Sequence, residues 1–389
     1  MSNLLKIFDI VKKHDEYRGK TINLIPSENV MSEKARYAMS SDFGHRYINP
    51  VRFYRGTKYS ELIIEETKKL ATKLYDAKYA FVEPQSGTLA VLAAIFAFTD
   101  VGDKVMITSP DNGGFPIDIQ KLKRKPVYFP FDESRWNIDI SKTEHVIKTE
   151  KPKLIFLGAS TILFPHPVKE VSEFAESVGS KVIFDGSHVL GLIAGKQFQD
   201  PLREGAEILL GSTHKTLAGP QGGIIVGTNE EDIEKFDFVF GYPLFLVDNP
   251  HLNRIAALGI TLEEYLKYGE EYAKQVVRNS KWLGKTLVEQ GIPIGFESIG
   301  FTESHQLLWQ VKSSEEGIKI ADTLELANII VDEEIRVGTQ EVTRRGMKEK
   351  EMEEIGNLVC AVITTKEPIN KIKEDVVSMV ERFSKVRYA

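Results

Sequence analysis

Two segments decide the fold of this chain: KVIFDGSHVL at residues 181–190 and ILLGSTHKTLAGPQGGIIVG at residues 208–227. Each begins with a short apolar run that is typical of a buried strand, and each run ends in polar residues. Asp185 and His188 follow the first strand, and His214 and Lys215 follow the second. Because ligands bind outside the carboxyl ends of parallel strands, the segments predict one site that holds a carboxylate, two imidazoles and an amine.

Lys215 is unusually placed for a charged side chain. It lies just beyond a buried strand, between hydroxyl residues and the small-residue stretch 218–223. Burial lowers the pKa of an amine and makes it a nucleophile toward carbonyls, which is what a Schiff base requires. Taken singly, the residues allow simpler interpretations: Lys215 as a solvated lysine, Asp185 as a loop cap and His188 as an interior histidine.

A candidate phosphate site lies earlier, in the sequence PQSGT at residues 84–88. These residues open an apolar helix predicted over 86–99, and the N–H groups of a helix N-terminus bind phosphate together with nearby hydroxyls. The same residues are also good N-caps, so the motif alone is weak. Pyridoxal 5′-phosphate requires a lysine for an imine, an acid beside the pyridinium nitrogen and a phosphate cradle, and the sequence offers all three.

The rest of the chain alternates strands and helices. Short β-branched or aromatic runs recur at 105–108, 127–130, 153–158, 181–186, 207–211 and 223–227. Continuous apolar strands that alternate with helices predict an α/β fold with a mostly parallel sheet covered on both faces. The pattern breaks at 242–253, before a helical stretch at 261–290. We therefore predict an amphipathic N-terminal arm at 1–30, a large domain at 31–255 and a smaller C-terminal α/β domain at 256–389.

Composition excludes several classes of protein. The 389 residues carry a formal net charge of −6 at a sequence pI of about 5.9, which gives no electrostatic footprint for nucleic acid or an anionic membrane. The lone Cys360 excludes an internal disulfide and a cysteine-held zinc site. The longest apolar run, 89–98, is too short for a bilayer, and the charged first twenty residues lack the core of a secretory signal. We expect a soluble cytoplasmic protein.

Six motifs, in order, resemble those of serine hydroxymethyltransferase, a family of fold-type I pyridoxal-phosphate enzymes. They are LIPSEN at 24–29 (family LIASEN), PQSGT at 84–88 (PHSGS), GAS at 158–160, DGSHVLGL at 185–192 (DMAHIAGL), THKTLAGPQGG at 213–223 (THKTLRGPRGG) and IRVGT at 335–339 (IRIGT). The resemblance implies an aspartate-aminotransferase-like fold. It also implies an enzyme that cleaves or forms the Cα–Cβ bond of a β-hydroxy amino acid, converting serine to glycine and passing the one-carbon unit to tetrahydrofolate or a related tetrahydropterin.

The resemblance also implies a role for individual residues. The implied cofactor-binding residues are Ser86, Gly87, Thr88, Phe115, Ser160, Asp185, His188, His214 and Lys215. Among them Lys215 would bond to the cofactor, Asp185 would pair with its pyridinium nitrogen, and His188 would lie near its phenolic oxygen. The implied substrate-binding residues are Ser27, Tyr54 and Arg336, of which Arg336 would bind the carboxylate of the amino acid as a bidentate partner. No metal is implied.

Several departures from the family pattern concern the co-substrate. Phe115 stands where the family has the histidine of GGH, and the carboxylate of the family's YAEG has no clear match near residues 37–38. The loop that precedes Arg336 is also short. These departures leave open a pterin-independent aldolase that acts on threonine or allo-threonine.

The sequence also allows a serine-acylase site, a metal site and a non-catalytic binding protein. Residues 212–215 match the S-x-x-K of serine acylases, a motif that should open a helix. Asp185, His188 and His214 offer a set of metal ligands. The S-D-N and K-T-G tripeptides that accompany the acylase motif do not occur, and a metal site explains neither Lys215 nor Arg336. The retained lysine, acid and arginine argue against a non-catalytic binding protein.

The resemblance implies partners as well. The family builds its site between two subunits, and an early tyrosine segment reaches across. We therefore expect a homodimer or a higher homo-oligomer that takes a small-molecule amino acid, with no nucleic-acid or membrane partner.

Overall fold

The computed structural model describes residues 6–51, 53–241, 245–365 and 367–389. The strands in chain order are β1 (Ile22–Asn23), β2 (Tyr79–Phe81), β3 (Lys104–Ile107), β4 (Lys125–Tyr128), β5 (Phe131–Asp132), β6 (Asn137–Ile138), β7 (Leu154–Leu157), β8 (Lys181–Asp185), β9 (Ile208–Ser212), β10 (Gly223–Gly227), β11 (Gln306–Leu308), β12 (Ile329–Ile330) and β13 (Arg336–Gly338).

The helices in chain order are α1 (Ile7–Arg18), α2 (Glu33–Met39), α3 (Lys58–Leu74), α4 (Gly87–Phe98), α5 (Ile140–Glu150), α6 (Val168–Glu176), α7 (Leu190–Ala194), α8 (Pro201–Glu204), α9 (Glu230–Glu234), α10 (Leu252–Glu289), α11 (Ser314–Leu326), α12 (Gln340–Arg344), α13 (Glu349–Ile363) and α14 (Ile369–Arg382). Short 3₁₀ turns lie at Asp42–His45, Pro110–Asn112, Asp237–Phe240 and Glu297–Ile299. In the described part of the chain, no helix combines the length and the apolar character needed to cross a membrane.

Among the described residues, seven strands form the central sheet, in the order β2-β10-β9-β8-β7-β3-β4. The strands from β9 to β4 pair in parallel, and β10 is antiparallel to both of its neighbours. β10 runs antiparallel to β9 because the chain turns back after β9 and enters β10 without an intervening helix. The prediction of a mostly parallel sheet is confirmed.

Helices cover both faces of this sheet. Successive side chains of a strand point to opposite faces. Leu154 and Phe156 of β7 accordingly pack in a core with α4, whereas Ile155 and Leu157 pack in another core with α3, α6 and α10. Burial on both faces explains the continuous apolar runs of the sequence. The same arrangement brings the carboxyl ends of β7, β8 and β9 to one edge. Asp185 ends β8, and four other predicted site residues follow these ends: Ser160, His188, His214 and Lys215.

The C-terminal part of the chain has an apolar core of its own, which residues from the N-terminal segment complete. Ile22 and Leu24 pack there with residues of α13 and α14, and Ile22 of β1 pairs with Ile329 of β12. Residues 22–24, which the sequence places in an arm, therefore lie inside this core. The preceding helix α1 forms as predicted, and every one of its residues lies outside the buried cores.

Helix α10 connects the two parts. It begins at Leu252, earlier than the predicted residue 261, because apolar residues recur at helical spacing from Leu252 onward. Its first half packs in the large core through residues such as Leu262, and its second half packs in the C-terminal core through Leu283 and Leu287. Residue 255 lies within this helix. Part of the predicted break, residues 242–244, lies outside the described residues, and the three-part division of the chain stays a prediction.

Candidate active site

The residues predicted to hold a cofactor line one cavity at the carboxyl edge of the sheet. The cavity has a volume of about 160 Å³. All nine predicted cofactor-binding residues line it: Ser86, Gly87, Thr88, Phe115, Ser160, Asp185, His188, His214 and Lys215. Val91, Ala159, Ser187 and Ser212 also line the cavity, and sequence reasoning missed all four. Ser187 and Ser212 stand at or just beyond strand ends, which is the signal that could have identified them.

The N-terminus of α4 forms one end of the cavity. The Ser86 hydroxyl accepts a hydrogen bond from the Leu89 N–H at 3.0 Å and caps the helix. A Cβ atom at Gly87 would lie only 2.8 Å from the Cβ of Ser212, so glycine lets the helix approach β9. The first N–H groups of a helix lack partners within it, and together with the helix dipole they favour an anion such as phosphate.

Asp185 ends β8 as a buried carboxylate with one oxygen occupied. Its Oδ1 accepts hydrogen bonds from the Ser187 N–H at 2.9 Å and from the Ser187 hydroxyl at 2.6 Å. Burial raises the pKa of Asp185, and these two bonds oppose the rise. Among the described residues none hydrogen-bonds Oδ2, which leaves this oxygen for a cationic group in the cavity.

Lys215 lies in the tight turn that follows β9. Its carbonyl accepts hydrogen bonds from the Asn29 side chain at 2.8 Å and from the Ala218 N–H at 3.0 Å, and these bonds fix the backbone. Burial lowers the pKa of the Lys215 amine to about 8, an effect that Asp185 opposes and Arg336 increases. Such an amine is partly neutral near pH 7 and can attack an aldehyde.

Two imidazoles also line the cavity, of which His188 is buried and His214 is half-buried. Burial lowers the pKa of His188 well below its usual value, and burial lowers the pKa of His214 to about 4. Both rings are therefore neutral at pH 7. The His188 ring stacks on His305, with the ring centroids 5.6 Å apart and the planes 20° apart.

Arg336, the first residue of β13, is not part of the cavity lining but bonds Ser160, which is. Its Nη1 donates to the Ser160 carbonyl at 3.1 Å, while its Nε and Nη2 lie 3.0 and 2.9 Å from one carboxylate oxygen of Asp332. Only 15% of the side chain is exposed. The guanidinium is thus held at the edge of the cavity, with a fork geometry that suits a carboxylate.

None of the three predicted substrate-binding residues is part of the cavity lining, and two of them, unlike Arg336, make no hydrogen bond to a described lining residue through their side chains. Ser27 is half-buried. The carbonyl of its neighbour Pro26 is hydrogen-bonded to His305, and the side chain of Asn29 donates to the Lys215 carbonyl. Tyr54 lies on the surface, where its ring packs against Tyr47 and Phe53. Both roles stay predictions.

The geometry can be compared with what a serine-acylase site and a metal site require. Ser212 ends β9, and the residues that follow it form a turn, so the S-x-x-K match does not open a helix as an acylase requires. Within the described ranges, the structure groups no three His, Cys, Asp or Glu residues in a way that could hold a metal ion.

Comparison with known proteins identifies the family. The family profile described as serine hydroxymethyltransferase matches residues 3–359. The chain belongs to the serine hydroxymethyltransferase family. It is 42% identical over 417 residues to the serine hydroxymethyltransferase of Methanosphaera stadtmanae, covering 100% of this chain and 97% of that protein. It is 43% identical over 411 residues to that of Methanocaldococcus jannaschii, covering 98% and 95%.

A solved structure shows that the fold is shared beyond close relatives of serine hydroxymethyltransferase. An L-threonine transaldolase from Pseudomonas fluorescens superposes with a TM-score of 0.91 at 24% sequence identity, covering 98% of this chain and 92% of that one. The predicted fold of type I pyridoxal-phosphate enzymes is therefore confirmed.

As a member of the serine hydroxymethyltransferase family, the chain is a pyridoxal-phosphate-dependent transferase. The cavity fits this cofactor, because it places an anion-binding helix N-terminus, a buried carboxylate with a free oxygen and a buried amine around one space.

Proposed function

We propose that this enzyme interconverts serine and glycine and passes the one-carbon unit to a tetrahydropterin. The observation that supports it best is the placement of Arg336 at the edge of a cavity that also contains Lys215 and Asp185. A carboxylate-binding group beside a cofactor site is the arrangement that an α-amino acid substrate requires.

Each of these residues has a separate task in the proposal. Bound pyridoxal phosphate supplies an electron sink that accepts the electron pair of the broken Cα–Cβ bond. Lys215 would hold the cofactor through its amine. Asp185, whose Oδ1 is held by Ser187, would accept a hydrogen bond from the protonated pyridinium nitrogen. Arg336 binds the substrate carboxylate and so orients the bond to be cleaved.

We also propose that the enzyme acts as a homodimer in which Tyr54 contributes to the site of a second copy. Four aromatic residues support this proposal because they are exposed: Tyr47, Phe53, Tyr54 and Tyr59. They lie in the part of the sequence that resembles the early tyrosine segment with which the family reaches across its subunit interface. Ser27, on the segment that contacts His305 and Lys215, is proposed to lie near the amino acid. A cytoplasmic location and a place in one-carbon metabolism remain predictions of the sequence.

The lowered pKa of Lys215 leads to a kinetic prediction. The neutral amine attacks the cofactor aldehyde, so the rate at which pyridoxal phosphate bonds to the apoprotein should rise about tenfold per pH unit below pH 8. The rate should then level off above pH 8, because the amine is already neutral. Mixing apoprotein with the cofactor between pH 6.5 and 9.5 and following the absorbance change measures this profile, with a free lysine side-chain analogue as the reference. A rate that keeps rising to pH 10 would contradict a buried amine.

The choice of acceptor can be tested with the purified, cofactor-loaded enzyme. We expect serine cleavage to accelerate by at least about tenfold when a tetrahydropterin is added, because the acceptor removes the one-carbon unit. Tetrahydrofolate and a structurally different tetrahydropterin should be assayed separately. Turnover of allo-threonine without any pterin, combined with serine turnover that no pterin changes, would favour the aldolase instead.

A further inference from the structure

Gln306 in β11 is buried, and its amide has one orientation that satisfies its neighbours. Its Oε1 accepts a hydrogen bond from the Ile162 N–H at 2.8 Å, and its Nε2 donates to the Ser160 carbonyl at 2.9 Å. A backbone N–H can only donate and a carbonyl can only accept, so exchanging the amide oxygen and nitrogen would break both bonds. The atom that faces His188 is therefore a donor.

This donor settles which nitrogen of His188 carries the hydrogen. Nε2 of Gln306 lies 2.9 Å from Nδ1 of His188, so Nδ1 must offer a lone pair. The other neighbour of Nδ1 agrees: Nε2 of His305 lies 3.1 Å from the Pro26 carbonyl, which requires a hydrogen on that nitrogen. The same nitrogen of His305 lies 3.5 Å from Nδ1 of His188.

The environment keeps the His188 ring neutral. Burial is the main cause of its lowered pKa, and further lowering comes from Lys215, His305, Arg336 and His214. No carboxylate is among the groups that shift its pKa. A neutral imidazole carries one hydrogen, and with Nδ1 as an acceptor that hydrogen is on Nε2.

We propose that Gln306 is a positioning residue that holds His188 in the Nε2–H tautomer, so that this histidine presents a hydrogen-bond donor to a ligand in the cavity. Only the identity of the acceptor, the phenolic oxygen of the cofactor, rests on the proposed function. The tautomer itself is a property of the protein without ligand.

The same strand pair also carries the carboxylate-binding arginine. β11 pairs with β13 so that Leu308 lies opposite Arg336. Gln306 and Arg336 both donate to the carbonyl of Ser160. Each side chain also has an anchor of its own, Ile162 for Gln306 and Asp332 for Arg336.

The tautomer can be measured directly in the full-length apoprotein. We expect the ¹⁵N spectrum of protein labelled at its 8 histidines to show His188 with a bare Nδ1 and a protonated Nε2 near pH 7. The resonances are assigned by comparison with His188→Asn. A hydrogen on Nδ1 of wild-type His188 would overturn the proposal, whatever the variants do.

A near-isosteric variant tests whether Gln306 is the cause. In Gln306→Glu one carboxylate oxygen still accepts from Ile162, but the other faces Nδ1 and favours a hydrogen there. We expect the His188 hydrogen to move to Nδ1 or the ring to become doubly protonated. The control is Gln310→Glu, an exposed glutamine four positions along, which should leave the spectrum unchanged. An unchanged His188 pattern in folded Gln306→Glu, judged by its thermal unfolding, would refute the role of Gln306.

The loaded enzyme provides a second measurement. Gln306→Glu should lower kcat for serine by about 10–10²-fold, the range typical of residues that orient a functional side chain. KM for serine should change less than about threefold, because Arg336 is retained. Equal losses in kcat and in serine binding would indicate a purely structural role and contradict the proposal. If wild-type protein turned over no serine, the proposed function would fail while the tautomer result stood.

Discussion

Replacing Lys215 with alanine is expected to abolish the imine absorption band of the cofactor-loaded protein and to lower kcat by at least about 10³-fold. Lys215 is the buried amine of the cavity, and its pKa of about 8 makes it a nucleophile near neutral pH. Without it, pyridoxal phosphate can bind only through its phosphate and ring contacts. Absorbance spectra before and after borohydride reduction, together with a glycine-forming assay, measure both effects.

The matched control is Lys196→Ala, which removes an exposed lysine of the same domain. This variant should keep the absorption band and its response to borohydride. A Lys215→Ala protein to which borohydride still fixes the cofactor covalently would show that another amine binds the cofactor. A wild-type protein that stays colourless with added pyridoxal phosphate would refute the whole cofactor assignment.

Replacing Arg336 with alanine is expected to raise KM for serine by about 10²-fold or more while leaving the absorption band intact. Two charge-assisted hydrogen bonds to a carboxylate are lost, and each contributes about 1.5–3 kcal/mol. Since 1.4 kcal/mol corresponds to a factor of ten, their loss corresponds to at least two orders of magnitude. Steady-state kinetics with serine and the absorbance spectrum test the two halves of this prediction.

Two further variants distinguish binding from folding. Arg336→Lys keeps the charge without the planar fork, so we expect KM to recover only in part. Arg345→Ala removes a nearby arginine that pairs with Glu341 at 2.9 Å outside the cavity, and it should leave KM for serine within about threefold. Loss of the absorption band in Arg336→Ala would mean that the arginine is needed for the fold of the site.

The sheet and most of the cavity could be predicted because their signals are local. Strands buried on both faces appear as continuous apolar runs, and polar residues directly after them mark the edge where ligands bind. Asp185 and Lys215 were found in this way. The N-terminus of α4 was found because a capping serine and a glycine precede an apolar helix.

Other features gave no local signal. Gln306 begins the apolar run QLLW, and its partner His188 lies 118 positions earlier, so only the folded chain shows what its amide does. Tyr54 lies away from the cavity of its own chain, and a single sequence does not place it. The two-residue strand β1 is too short to have a periodic pattern, so the sequence alone places residues 22–24 in an arm.

The pairing of β1 with β12 has a consequence for biosynthesis. The two strands are about 300 residues apart in the chain, and the C-terminal core is incomplete without Ile22 and Leu24. At about 5–20 residues per second, a ribosome needs ~15–60 s to make the intervening segment. During that interval Ile22 and Leu24 lack their partners, while the residues of the central sheet have already emerged. The large core is therefore expected to fold first on the ribosome, and the N-terminal strand to dock only after β12 has emerged.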